Sequence, residues 1–300
     1  MCELIDTVVI KFDARSVILL NLCVAFIMFG VALDINLKDF GRVAKTPKLP
    51  IVGLISEYLL LPIITLVLIY FLRPQPSFAL GMILLTTCPG GSASNFFVHV
   101  SKGNTALSVT LTTVTTLGAI VITPLGFTLL AKLFPYTADF MQDINVNPIE
   151  MVFTIITVVI LPLAAGVAYR QRYPDKAQRI QKFISRASVT IFFAFVLIAI
   201  IANWDNLSQF LHCVFGTVTL HNLLALTVGY WFARFMGLGL SDSRAVSIET
   251  GIQNTSLGLA LAVQFFNGLG GMMLVLAWWG IWHLISGYAL AYYWSKRPVE

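Results

Sequence analysis

Of the fourteen acidic residues in this 300-residue chain, Glu57 and Glu249 lie deep inside long apolar runs that contain no lysine or arginine. A carboxylate in the middle of a bilayer costs about 2.5 kcal/mol or more on insertion scales, so each must face a cavity and hold a partner. With no basic residue beside them, the partners left are a proton or a metal cation. Hard cations take oxygen ligands, and the sequence places oxygens nearby: Ser92, Ser94 and Asn95 in TTCPGGSASNFF, and Gln253 four residues after Glu249 in SIETGIQNTSLG. Ser108, Thr112 and Thr116 follow one another at a spacing of four on the next run. Residues four apart share a helix face, so Ser108 and Thr112 can converge on one point. The local alternative for such hydroxyls is a bond to their own i−4 carbonyl.

The elements that must carry these residues are membrane spans. Runs near twenty apolar residues give nine helices, at about 15–33, 49–72, 77–100, 105–131, 150–169, 187–204, 213–233, 245–266 and 271–294. Pro89-Gly90-Gly91 interrupts the third, and Thr250-Gly251 with its polar neighbours interrupts the eighth. Backbone groups freed inside a bilayer need protein, water, ions or substrate as partners, and a pair of interrupted spans points to a transporter site near the midplane. With nine spans, fifteen Lys and Arg residues fall on one side and four on the other. That bias places the N-terminus outside and the C-terminus in the cytoplasm. The two interrupted spans then run antiparallel, as inverted repeats of four and five spans require.

Composition excludes other classes. The chain is 58% hydrophobic and 11% charged with mean hydropathy +0.85, against about a quarter charged in soluble domains. A soluble enzyme and a nucleic-acid binder are excluded as the main reading, and the net charge of +5 belongs to the loops. Cys2, Cys23, Cys88 and Cys213 have neither metal nor disulfide-framework spacing. The N-terminus, acidic before its first lysine, reads as a retained span and not as a signal peptide. No sequence feature sets a general base beside Ser94 or His99, so no catalytic reading is supported. A proton-coupled carrier or a cation/proton antiporter shares the broken-helix pattern and stands as the alternative to sodium coupling.

The runs CPGGSASN at 88–95, GNTALSVTLTTVTTLGAIVITPL at 103–125, IETGIQNTSLGLALA at 248–262 and WHLISG at 282–287 resemble the bile acid:sodium symporter family, in its bacterial type but without the first helix. The resemblance implies an all-α membrane transporter at the cell inner (plasma) membrane that couples uptake of a small organic anion to sodium by alternating access. It implies inverted repeats over about 15–131 and 150–294. A core domain of about 49–131 and 213–266 would contain two crossing discontinuous helices, and a panel domain would comprise about 15–33, 150–204 and 271–294. Two sodium ions are implied. One would be held by Ser94, Asn95, Ser108, Thr112 and Glu249; the other by Glu249, Gln253 and the carbonyls of Thr250 and Ile252, completed from the second span. There the family usually has glutamine and this chain has Glu57, which adds a titratable group. An anionic headgroup is expected against Ser92 and Asn254, where half-helices begin. His283 occupies the family's Trp-His-Asn position, with Leu284 replacing the asparagine.

Overall fold

The computed structural model describes residues 2–8, 14–33, 35, 43, 45–91, 93–142, 147–202 and 210–299. After a 3-10 turn at Cys2–Thr7 come α1 (Ala14–Ala32), α2 (Lys48–Leu72), α3 (Pro76–Thr87), α4 (Ala93–Val100) and α5 (Thr105–Ala131). A short α6 (Pro135–Gln142) leads to α7 (Pro148–Arg172), α8 (Pro174–Ala202), α9 (Leu211–Phe235), α10 (Leu240–Gly251), α11 (Thr255–Phe265) and α12 (Gly270–Ser295). There is no strand among the described residues, only an isolated antiparallel bridge between Gly90 and Gln253. Among the described residues six helices (α1, α2, α5, α7, α9 and α12) are long and apolar enough to cross a membrane. Large apolar side chains point outward from them and their neighbours: Phe71 is 75%, Leu129 68% and Phe235 87% exposed. Lipid is the environment in which such a surface carries no penalty.

Two prolines shape α2 and α7. Pro62 and Pro162 have no N–H to give the carbonyl four residues back. Each helix responds by widening the turn just before, into π-turns at Ser56–Leu60 and Ile156–Ile160. Leu61 N–H accordingly donates to the Ser56 carbonyl and Leu161 N–H to that of Ile156. The first of these wide turns carries Glu57.

The helices pack as two groups. Helix α1 lies on α7 and α8, while α2–α5 and α9–α12 pack among themselves. The groups meet where α1 runs along α11 and α5 meets the start of α7. Among the described residues two polar contacts cross the seam: Gln264 Nε2 donates to Thr154 Oγ1 at 2.9 Å, and Asn254 Nδ2 stands 3.8 Å from Met28 Sδ.

The run at 271–294, expected in the panel, packs on α3, α4, α9 and α11. Two expectations need correction. The run at 187–204 is the latter part of the longer α8, whose first half carries Lys176, Arg179, Lys182 and Arg186, residues expected in the loop before it. Residues 203 and 204 are outside the described residues. Cys23 and Cys88 are free and buried, whereas Cys213 is disulfide-bonded, a pairing that the cysteine spacing does not announce.

Arg244, placed by the loop count at a membrane surface, is buried inside α10. Its guanidinium donates to the carbonyls of Ser101 at 2.6 Å, Pro298 at 3.0 Å and Trp294 at 3.3 Å. These carbonyls cluster at the C-terminal ends of α4 and α12, where helix dipoles favour a cation. The arginine is thus occupied at helix ends and leaves Glu249, five residues on, to other partners.

Candidate functional site

The site forms where the two interruptions cross. Cys88, preceding proline, is extended as that position favours (φ −71°, ψ 155°), and α3 stops there. Beyond it, Gly91 N–H donates to the Ile252 carbonyl at 2.7 Å, and Asn254 N–H to the Pro89 carbonyl at 2.9 Å. Gly90 N–H finds Thr115 Oγ1 at 3.2 Å. The backbone groups freed by the two breaks therefore satisfy one another, as a buried backbone must. Glycine is required for this approach, because a Cβ at Gly91 would stand 2.8 Å from the Gln253 carbonyl oxygen.

Glu249 ends up fully buried at the crossing. Its Oε1 accepts hydrogen bonds from Ser94 Oγ at 2.5 Å and from Ser108 Oγ, and its Oε2 accepts from Thr112 Oγ1 at 3.0 Å. Asn95 Oδ1 lies 2.7 Å from Ser108 Oγ and 3.4 Å from Thr112 Oγ1, while Ser94 Oγ is 3.4 Å from Thr112 Oγ1. A hydroxyl carries one proton. Ser108 faces two acceptors with that single proton, and Thr112 faces three, its own i−4 carbonyl included. Oxygens outnumber the protons that could link them, and no basic group is among the hydrogen-bond partners of Glu249 in the described residues. Such an oxygen-rich cluster around an anion is chemically suited to a hard monovalent cation.

On the other side of Glu249, Gln253 Nε2 donates to the carbonyls of Thr250 at 3.1 Å and Glu249 at 3.3 Å. Among the described residues its Oε1 is buried without a partner, and so are both carboxylate oxygens of Glu57. The Thr250 side chain turns away, bonding the Val246 carbonyl at 2.8 Å and Ser56 Oγ at 2.6 Å, so only its carbonyl is turned to Gln253. The Ile252 carbonyl already serves the crossing through Gly91, with one lone pair to spare.

The structure thus brings Ser94, Asn95, Ser108 and Thr112 together around Glu249. Gln253 and the Thr250 and Ile252 carbonyls lie beside the same crossing. Ser92 lies outside the described residues. Asn254 is at the crossover but turns its Oδ1 onto its own helix, accepting from Leu257 N–H at 3.1 Å and Ser256 Oγ at 2.6 Å. It is the N-cap of α11, so the anion-attracting amides there are partly satisfied from within, and the Asn254 amide NH2 is what faces α1. His283 is buried on α12 with Nδ1 unpartnered; among the described residues no hydrogen bond links it to the crossover.

Sequence reasoning missed several participants. Thr116 bonds its own i−4 carbonyl at 2.6 Å, and Thr115 is the residue that reaches the crossing. A spacing of four then three keeps a side chain closer to one face than two spacings of four. Ser56 and Asn222 hold α10 from outside, Asn222 by donating to the Gly251 carbonyl at 2.8 Å; their only signal is that they are polar residues in apolar runs.

A family model described as the sodium bile acid symporter family matches residues 21–210. An uncharacterized sodium-dependent transporter of Bacillus subtilis, YocS, is 33% identical over 93% of this chain and 83% of its own length. A probable chloroplastic sodium/metabolite cotransporter of rice, BASS2, is 32% identical over 91% of this chain, which spans 62% of that protein. The human ileal sodium/bile acid cotransporter is 28% identical over 79% of this chain and 67% of its own length.

Proposed function

The chain belongs to the sodium bile acid symporter family, and on that premise we propose that it is a sodium-coupled symporter of a small organic anion, working by alternating access. It is a multi-pass membrane transporter and not an enzyme. The observation that carries the sodium reading is the Glu249 cluster, in which five side chains from α4, α5 and α10 supply oxygens to one point with too few protons among them. The first sodium belongs there, with Ser94, Asn95, Ser108, Thr112 and Glu249. The second belongs with Glu249, Gln253, the Thr250 and Ile252 carbonyls and Glu57.

Nine crossings follow if the six long helices are joined by α8 and by the two broken pairs, α3/α4 and α10/α11. The N-terminus is then outside and the C-terminus in the cytoplasm of the cell inner (plasma) membrane. The pairs run antiparallel and each precedes one long helix, α5 or α12, which supports inverted repeats. We assign α1, α7 and α8 to the panel and the remaining membrane helices, α12 included, to the core, because that is how they pack.

Sodium at Glu249 neutralises a buried charge and ties α10 to α4 and α5, which fixes the crossing. The organic anion then sits between Asn254 and α1, with Ser92 and His283 as the further contacts, where the positive ends of the half-helices favour negative charge. Coupling requires that both ligands favour the same arrangement of core against panel.

A thermal-shift screen of purified protein tests this, since a ligand of the folded state raises stability by mass action. Sodium chloride, and not potassium chloride, is expected to raise the melting temperature saturably, and a small organic carboxylate or sulfonate to add a further rise only when sodium is present. An anion response that is equal in sodium and potassium contradicts the reading.

A further inference from the structure

Glu57 is the acidic side chain at the crossover that hydrogen bonding leaves unexplained. It is 2% exposed on the π-turn of α2, with both oxygens buried and unpartnered among the described residues. The backbone at Gly90 shows where it points. A Cβ built there would lie 2.8 Å from Glu249 Oε2, 3.5 Å from Glu57 Oε2 and 3.7 Å from Thr115 Oγ1. Three oxygens from three helices thus face one small space that only a glycine leaves open. The two carboxylate oxygens can be no further apart than the sum of their distances to that point. The buried, unpartnered Oε1 of Gln253 belongs to the residue bridged to Gly90.

The donors are all oxygens: two carboxylates, an amide carbonyl and a hydroxyl. No imidazole or thiolate joins them among the described residues, which argues against zinc or copper. One sodium ion alone would leave a net negative charge in a low-dielectric interior, where like charges repel strongly. Two sodium ions sharing Glu249 cancel both carboxylates, and so does a single doubly charged ion seated between them. Of the hard divalent ions, magnesium demands an octahedron and keeps its waters, whereas calcium accepts irregular sets of carboxylate and carbonyl oxygens at about 2.3–2.6 Å. A buried position walled by helix backbone fits the second description.

We propose that the space between Glu57 and Glu249 at Gly90 is a calcium site, which calcium occupies in competition with the second sodium ion. The proposal rests on the reading that this crossover holds cations, and adds that the glutamate on α2 changes which cation it prefers. External calcium would then hold the transporter in a cation-loaded state that excludes sodium.

The test is isothermal titration of purified protein in a potassium medium with calcium chloride, with magnesium chloride as comparison, repeated at rising sodium chloride and on Glu57→Gln. One calcium ion per chain is expected, with magnesium much weaker and the apparent affinity for calcium falling as sodium rises. Removing one of two facing carboxylates in Glu57→Gln should weaken calcium binding at least about a hundredfold, with a size-exclusion profile matching the wild type as the folding control. Absence of saturable calcium binding to the wild type, calcium binding indifferent to sodium, or equal calcium affinity in Glu57→Gln would overturn the proposal. The wild-type competition stands without the variant. Sodium-induced stabilisation without calcium binding removes this proposal alone; calcium binding without any sodium response overturns both this proposal and the symport reading.

Discussion

Ser108 stands between Glu249 and Asn95 with a single proton for two acceptors, and on the proposed function this spare lone-pair capacity is what a cation would use. Ser108→Ala is therefore expected to weaken sodium affinity about tenfold, the loss of one ligand worth about 1.4 kcal/mol, read from a sodium titration of the melting temperature. An affinity within twofold of wild type would remove it from the site. Gly91→Ala forces a methyl to within 2.8 Å of a backbone oxygen that cannot swing aside. It should lower stability by about 1–3 kcal/mol, measured as the ligand-free melting temperature, and an unchanged value would show that the crossing has room for a methyl group. At this scale the sequence reading was good where chemistry is local: an unpaired acid in an apolar run, with hydroxyls at helical spacing. It failed where a choice depends on helix rotation. Thr115 and Thr116 are chemically alike and adjacent, and both bond the Thr112 carbonyl of their own helix; only the packing of α5 against the crossing decides that Thr115 also reaches Gly90.

The interruption of α3/α4 was legible because Pro89-Gly90-Gly91 is incompatible with a continuous helix, and that of α10/α11 because polar residues crowd into an apolar run. That the two breaks pair through Gly90 and Gln253 was not legible as geometry, since it joins residues far apart in the chain. The π-turns could have been anticipated: a proline inside a span must displace the preceding turn, and Pro62 follows Glu57 by five residues. The widened turn sets the direction of Glu57, and this is tested by Pro62→Ala. Restoring the missing N–H should keep or raise the melting temperature, because proline inside a helix costs about 3 kcal/mol. As the turn closes and Glu57 rotates away, sodium affinity should fall at least about fivefold. Unchanged affinity in that variant would separate the π-turn from the site.

Across the molecule, the membership of α12 in the larger group of helices escaped the sequence because aromatic-rich spans look alike whichever partner they pack on. The burial of Arg244 escaped because an arginine next to an apolar run reads as a loop residue; only the meeting of α4 and α12 supplies its carbonyl partners. The overall orientation rests on loop charge and is open to direct labelling. A membrane-impermeant thiol reagent applied to intact cells should modify Lys132→Cys, beyond α5, and not Lys102→Cys, between α4 and α5; the reverse pattern would invert the topology. All of these readings depend on one physical claim, that Glu249 at the crossing is kept as an anion by captured sodium. The most direct measurement is the sodium-induced rise in melting temperature of purified wild type and Glu249→Gln. The account predicts a saturable rise with sodium and none with potassium in the wild type, and its loss in a Glu249→Gln protein that remains folded. An undiminished sodium response in that variant would contradict it.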